Sequence, residues 1–153
     1  MLKFVYCCIV IFLIAFPVYS ESHFKVSEIA NPKFATVLVH GLNNPPDVME
    51  PLAEFFREHG SNTIIVTLPG HEGDKRRSDG EAWISKVKEA FELSESKFPS
   101  LPIISVGFSA GTITSLLAIN ESNSKSIAKI ILLAPPLSLR TYTYLLKAIL
   151  PLH

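Results

Sequence analysis

The stretch that decides the fold lies near the middle of the chain and reads Gly107-Phe108-Ser109-Ala110-Gly111. It follows the apolar residues 103–106 directly and leads into a segment with the composition of a buried helix. A G-x-S-x-G pattern between a strand and a helix is typical of a tight turn that exposes a serine hydroxyl above a parallel sheet. Gly107 and Gly111 let the backbone pass close to its neighbours, and the small Ala110 avoids a clash. The sequence therefore predicts that Ser109 stands at a strand–helix junction.

A second apolar run, residues 35–39, ends abruptly in His40-Gly41-Leu42. Its apolar residues are continuous rather than alternating, which is typical of a strand that is covered by helices on both faces. A buried strand followed by His-Gly is where one kind of acyl-transfer enzyme places its second oxyanion donor. The two stretches together thus predict a turn at Gly41 near the serine.

With these residues in view, the chain resembles the α/β-hydrolase superfamily, in its monoglyceride-lipase-like and serine-aminopeptidase-like branch. The resemblance covers about residues 34–136. A third stretch, 63–74, stands where this family has a strand that ends in a D-x-P-G-H-G-like turn. Thr67 replaces the usual acid there, and Glu72 stands before Gly73, so the match to the family pattern is incomplete.

The resemblance implies a serine hydrolase that acts on carboxylic esters or amides, with a small-molecule acyl substrate and Ser109 as the nucleophile. The backbone N–H groups of Leu42 and Ala110 would then form the oxyanion hole, and Gly41, Gly107 and Gly111 would be the motif glycines. His40 would shape the loop rather than transfer protons.

The predicted fold class is α/β, a mostly parallel sheet with helices on both faces, because strands alternate with helices of ten or more residues. We expect the spatial strand order 63–67, 35–39, 103–106, 129–134, with right-handed crossovers. A short edge strand is indicated near Phe24 and Val26. The helix at 112–119 is expected to be the most buried one, since its Ile113, Leu116 and Leu117 leave little polar surface.

Residues 1–20 have the pattern of a secretory signal peptide. A single basic residue, Lys3, precedes an unbroken apolar stretch over 4–16, and Val18 and Ser20 suit the −3 and −1 positions of cleavage after Ser20. The pattern predicts export to the periplasm or the extracellular space. The alternative is an uncleaved anchor that associates with a membrane through residues 4–16, although this stretch is shorter than the ~20 apolar residues of a spanning helix.

Composition excludes several classes of function. The chain has 153 residues with 14 basic and 14 acidic side chains, so nothing predicts the basic face that a nucleic-acid partner needs. Both cysteines, Cys7 and Cys8, lie in the predicted signal peptide, which leaves the mature chain without thiol chemistry. No metal-ligand spacing appears, and we expect no cofactor and no metal. The oligomeric state is left open.

The base and the acid that a serine nucleophile needs are hard to find in this sequence. In the superfamily they follow the serine, yet after Ser109 the only acid is Glu121 and the only histidine is His153. Glu121 would lie roughly 18 Å away along the helix, which is too far to orient a base. We therefore expect residues 21–138 to be the N-terminal part of a hydrolase domain, residues 139–153 to begin a lid, and the chain to be truncated.

Two further hypotheses stay open beside the serine hydrolase. One is a catalytically inactive α/β-hydrolase fragment that acts at most as a binding module. The other is a thioesterase or an acyltransferase on the same scaffold, which differs only in its acyl acceptor. Fold alone does not separate these three functions.

Overall fold

A computed structural model describes residues 23–71 and 79–136 of the chain. Over these residues strands and helices alternate in the predicted order. The strands are β1 (Phe24–Ser27), β2 (Phe34–Val39), β3 (Ser61–Val66), β4 (Ile103–Phe108) and β5 (Ile127–Leu133). The helices are α1 (Glu50–Glu58), entered through a short 3-10 helix (Pro46–Met49), α2 (Gly80–Lys97) and α3 (Ala110–Glu121).

The five strands form one sheet in the spatial order β1-β3-β2-β4-β5. β2, β3, β4 and β5 are parallel, and β1 joins the edge of β3 in the antiparallel direction. The predicted strand order and the predicted edge strand are therefore confirmed. Val39 at the end of β2 pairs with Gly107 of β4, so the turns that follow these two strands begin side by side.

Helices cover both faces of the sheet, as the sequence predicts. Val37 and Val39 of β2 pack in one core cluster with Val87 and Phe91 of α2. The residue between them, Leu38, points to the opposite face and packs with Ala53 and Phe56 of α1. This alternation follows from the pleat of a strand, and because both faces are covered the strand reads as a continuous apolar run.

The expectation that helix 112–119 is the most buried one is confirmed among the described helices, since α3 buries five of its twelve residues against six of eighteen in α2 and two of nine in α1, but the buried residues are not the large apolar ones. α3 buries a stripe of small residues, Gly111, Ser115 and Ala118, whose i, i+4, i+7 spacing places them on one face. The large residues of this helix remain exposed, at 44% for Ile113, 44% for Leu116 and 43% for Leu117. Small residues let α3 approach the sheet closely, so side-chain size rather than polarity decides which face is buried.

Parts of the predicted organisation lie outside the described residues, namely the signal peptide at 1–20 and the start of a lid at 139–153. Among the helices at 23–71 and 79–136, none combines the length and the apolar character needed to cross a bilayer. Among the described strands β5 lies at an edge of the sheet, where Leu132 is 38% exposed.

Candidate active site

Ser109 stands at a sharp turn between β4 and α3, as the motif predicts. Its backbone has φ 51° and ψ −119°, a left-handed conformation that is costly for any residue with a Cβ, by about 1–3 kcal/mol. Hydrogen bonds hold the turn on both sides. The Ser109 N–H donates to the Leu133 carbonyl at 2.9 Å. The Ser109 carbonyl accepts from the Thr112 N–H at 3.0 Å and from the Thr112 hydroxyl at 2.6 Å.

Two motif glycines allow the backbone around this turn to pack without side chains. A Cβ at position 111 would lie 2.5 Å from the His40 carbonyl oxygen and still closer to that of Val39. A Cβ at position 107 would lie 2.6 Å from the Thr112 Cα. The first residues of α3 therefore rest directly on the end of β2, which brings the two sequence motifs together.

The turn after β2 packs against the serine. The Asn44 N–H donates to the Gly41 carbonyl at 3.3 Å and closes a turn over residues 41–44. Asn43 adopts a φ of 59° inside this turn, a conformation that asparagine tolerates better than most residues. A Cβ at Gly41 would lie 3.0 Å from the Ser109 Cβ, so this turn and the serine are in direct contact.

The two predicted oxyanion donors flank this contact. Leu42 directly follows Gly41, and Ala110 is the first residue of α3. Within residues 23–71 and 79–136, neither backbone N–H is engaged in a hydrogen bond to a protein acceptor. Two free N–H groups beside a serine hydroxyl are the arrangement that stabilises an oxyanion in acyl transfer. The role of Leu42 and Ala110 as the two donors stays a prediction.

His40 is fully buried beneath the turn and uses both of its ring nitrogens. Nδ1 lies 2.8 Å from the Gly41 carbonyl, which only accepts, so Nδ1 carries the proton. Nε2 accepts from the Leu68 N–H at 3.1 Å. Burial lowers the pKa of His40, the bond to Gly41 opposes this, and the nearby His71 lowers it further. A neutral ring with both nitrogens occupied has no free position for a general base.

We expect His40 to make the stability of the chain depend on pH. In the unfolded chain it takes up a proton near its ordinary pKa of about 6.5. The pKa of His40 is lower in the folded state, so the folded chain binds fewer protons than the unfolded chain between the two pKa values. The contribution of His40 to the free energy of unfolding is therefore fully present above pH ~6.5 and is lost as the pH falls toward the folded pKa. The slope reaches at most about 1.4 kcal/mol per pH unit.

Urea unfolding of the wild type and of His40→Asn, followed from neutral to mildly acidic pH, checks this expectation. The difference in free energy of unfolding between the wild type and His40→Asn should become smaller as the pH falls. His59→Asn is the control, because that histidine bonds the Phe55 carbonyl on the exposed side of α1. A pH-independent difference between the wild type and His40→Asn would contradict the expectation.

An open cavity of about 530 Å³ lies in front of the turn. Its wall is formed by the turn itself, by the loop after β3 and by α2, through Leu42, Asn43, Asn44, Pro45, Gly70, His71 and Trp83. The Trp83 indole N–H donates to the Pro69 carbonyl at 2.9 Å, and its ring lies 5.6 Å from that of His71. None of these wall residues carries a permanent charge, which suits a neutral group next to the candidate oxyanion hole.

A base for Ser109 is not found among residues 23–71 and 79–136. In this part of the chain no imidazole and no carboxylate hydrogen-bonds the Ser109 hydroxyl. His71 turns its Nδ1 to the Leu68 carbonyl at 3.2 Å. Glu121, at the far end of α3, forms an ion pair with Lys88 at 3.5 Å, which agrees with the expectation that it does not serve the serine. His153 lies outside the described residues.

The described residues also contain no group of three His, Cys, Asp or Glu side chains that is arranged to hold a metal ion. Sequence reasoning missed two residues of the site. Thr112 caps the turn with its hydroxyl, and a threonine three residues after the serine was a readable local signal. The partner of His40, Leu68, is 28 residues away and gives no local signal.

Fold and site together define the class of protein. Residues 30–152 match the family model described as serine aminopeptidase, S33. This match takes in most of the chain, so the protein belongs to that family of α/β-hydrolases. No curated protein sequence shows a significant match to the chain.

Solved structures show the same fold at low sequence identity. The chain is 20% identical to MenH from S. aureus, with a TM-score of 0.62 over 82% of this chain and 47% of that one. It is 19% identical to a monoacylglycerol lipase from Paleococcus ferrophilus, with a TM-score of 0.63 over 83% of this chain and 50% of that one. A carboxyl esterase from Bacillus coagulans is 16% identical, with a TM-score of 0.63 over 71% and 39% of the respective chains. The chain thus spans about half the length of these structures or less.

Proposed function

We propose that this chain carries the nucleophile and the oxyanion hole of a serine hydrolase that cleaves carboxylic esters or amides. Ser109 is the nucleophile, and the N–H groups of Leu42 and Ala110 bind the negative oxygen of the tetrahedral intermediate. Each such donor contributes on the order of 3 kcal/mol to the transition state.

The contact between the β2 turn and the Ser109 turn is the single observation that supports this proposal most strongly. Ser109 is held at positive φ by the Leu133 and Thr112 bonds, and Gly41 packs against its Cβ. Backbone strain of this kind is common at functional sites. Ser109 carries it at the carboxyl end of a parallel strand, β4. The N–H groups of Leu42 and Ala110, which bond no protein acceptor among the described residues, lie on either side of this strained serine and are the proposed oxyanion donors.

A second candidate function is a binding module without turnover. It is favoured by one observation, the lack of an imidazole or carboxylate partner for the Ser109 hydroxyl within the described residues. Without a base, a serine hydroxyl is a poor nucleophile at neutral pH. The two candidates differ in what an added base should do.

We expect the chain at residues 21–153 to hydrolyse p-nitrophenyl esters no faster than its Ser109→Ala variant at neutral pH. Addition of imidazole, a small diffusible base, should then accelerate the wild type more than the variant, because the oxyanion donors and the serine are already in place. Purified monomer is assayed with and without imidazole. Mass spectrometry of the tryptic peptide that contains Ser109 reports any acyl adduct independently of the colour change.

The outcomes separate the two candidates. A serine-dependent gain with imidazole, with acyl adduct on Ser109, supports the hydrolase. Equal rates for the wild type and Ser109→Ala at every imidazole concentration, with no adduct, overturn it in favour of the binding module. Serine-dependent turnover without imidazole would mean that the chain supplies its own base.

A further inference from the structure

We propose that the open cavity beside the β2 turn binds a flat, uncharged chemical group that carries an O–H or an N–H, as a phenol does, with His71 as the hydrogen-bond acceptor. That this group belongs to an ester or amide substrate rests on the proposed function, whereas binding of the group does not. Three features of the cavity wall support this: two anchored aromatic rings, an acceptor nitrogen on His71, and the lack of charge.

The two aromatic rings of the wall are fixed to the same short stretch of backbone, Leu68-Pro69, which follows β3. The Trp83 indole N–H donates to the Pro69 carbonyl at 2.9 Å. His71 Nδ1 lies 3.2 Å from the Leu68 carbonyl and 3.4 Å from that of Pro69. The two ring centroids are 5.6 Å apart, with an angle of 56° between the ring planes. Because one loop holds both rings, they form a preformed aromatic wall that a flat group can contact.

His71 presents one ring nitrogen to the cavity as an acceptor. The Leu68 and Pro69 carbonyls only accept, so the proton of the neutral ring sits on Nδ1 and Nε2 keeps its lone pair. Within residues 23–71 and 79–136, no donor is hydrogen-bonded to this Nε2. A molecule in the cavity that His71 lines can therefore donate its O–H or N–H to Nε2.

The buried ring next to His71 does not compete for this position. His40 meets His71 edge-on, with ring centroids 4.8 Å apart. The Nδ1 proton of His40 is directed at the Gly41 carbonyl, and its Nε2 accepts from the Leu68 N–H. Neither nitrogen of His40 can therefore donate to His71 Nε2, and the donor is left to a bound molecule.

The rest of the cavity wall favours an uncharged group. About 530 Å³ is within the usual range of small-molecule sites, and the other wall residues are Leu42, Asn43, Asn44, Pro45 and Gly70. None of these described residues is charged, so nothing in the wall offsets the desolvation of a charged ligand. Leu42 carries one of the proposed oxyanion donors, which places a bound group next to the carbonyl that would be cleaved.

Trp83 reports binding without any activity, because it is the only tryptophan of the chain. Its fluorescence is followed while the full chain is titrated with phenol, anisole or cyclohexanol. Anisole has the flat ring but no donor, and cyclohexanol has the donor but no flat ring. Phenol should have the lowest Kd of the three, about fivefold below the others, because it alone makes both the hydrogen bond and the ring contact.

His71→Phe keeps a flat ring and removes the acceptor, so the preference for phenol over anisole should disappear in this variant. His59→Phe is the matched control and should keep the preference, because His59 bonds the Phe55 carbonyl on the exposed side of α1. Ring 15N NMR shifts of the wild type give a second measurement that needs no variant. They should show His71 protonated at Nδ1 and not at Nε2.

Equal Kd values for phenol and anisole in the wild type, a His71 ring protonated at Nε2 at neutral pH, or an unchanged preference in His71→Phe would overturn the inference. Cyclohexanol binding as tightly as phenol would also overturn it. Selective phenol binding by a chain whose Ser109 stays unreactive with imidazole would refute the proposed function and leave the binding site standing. Acylation of Ser109 in a chain that does not distinguish phenol from anisole would do the reverse.

Discussion

Replacement of Gly111 by alanine is expected to destabilise the fold by about 3 kcal/mol, the upper end of what overpacking usually costs, or to prevent folding. The added Cβ would lie 2.5 Å from the His40 carbonyl oxygen and still closer to that of Val39. Both obstacles are backbone atoms of the central strand and its end, so neither moves aside as a flexible side chain does. Relief requires that α3 shift away from the sheet, which would break the Ser109 turn.

Gly80→Ala is the matched control, since Gly80 also opens a helix and its added Cβ meets no atom within 4 Å. That variant is expected to be neutral or up to about 1 kcal/mol more stable, because alanine restricts the unfolded chain. Urea denaturation of the two variants beside the wild type makes the comparison. Equal stabilities for Gly111→Ala and Gly80→Ala would show that the close approach of α3 to β2 is not real.

The second large effect is expected in solubility. β5 is an edge strand among the described residues and carries apolar side chains on both faces, which makes its free N–H and C=O groups a template for association. We expect the chain at 21–153 to be poorly soluble and Leu132→Lys to raise its soluble fraction severalfold. Leu132 is 38% exposed, so a lysine there can reach water while its charge opposes strand pairing.

Leu116→Lys on α3 is the control for this experiment, since it makes the same change at a leucine of similar exposure, 44%. Contact between helix faces lacks the directional hydrogen bonds of a strand edge, so this variant should help less. The soluble fraction after ultracentrifugation and thioflavin binding of the pellet are the two measurements. A larger gain from Leu116→Lys would move the origin of association from the strand edge to the exposed face of α3.

Strand order was predictable from the sequence because the central strands are buried on both faces. β2 and β4 are covered on both faces, so they read as continuous apolar runs followed by glycine-containing turns. The Ser109 turn was predictable for a related reason, since its glycines are required by close backbone contacts and leave a local pattern. Features that depend on residues adjacent in the sequence, such as these apolar runs and glycines, can therefore be predicted from the sequence.

The orientation of α3 and the hydrogen-bond partner of His40 across the sheet were not predictable in this way. α3 is apolar on nearly all sides, so the polarity pattern offers no face, and the outcome depends on Gly111, Ser115 and Ala118 being small enough to touch the sheet. His40 depends on the Leu68 N–H, whose position is known only once β2 and β3 are paired. Both are tertiary effects that no local window of residues contains.

The hydrogen bond from the Ser109 N–H to the Leu133 carbonyl has a consequence for the order in which parts of the chain fold. Leu133 is the end of the most C-terminal described strand, so the acceptor that holds Ser109 at positive φ arrives only when β5 has joined β4. During refolding, we expect the Ser109 turn to form in the closing step of sheet assembly, after β2, β3 and β4 are paired. Pulsed hydrogen exchange checks this order, since the Ser109 amide should gain protection together with Ile131 of β5 and later than Val37 of β2.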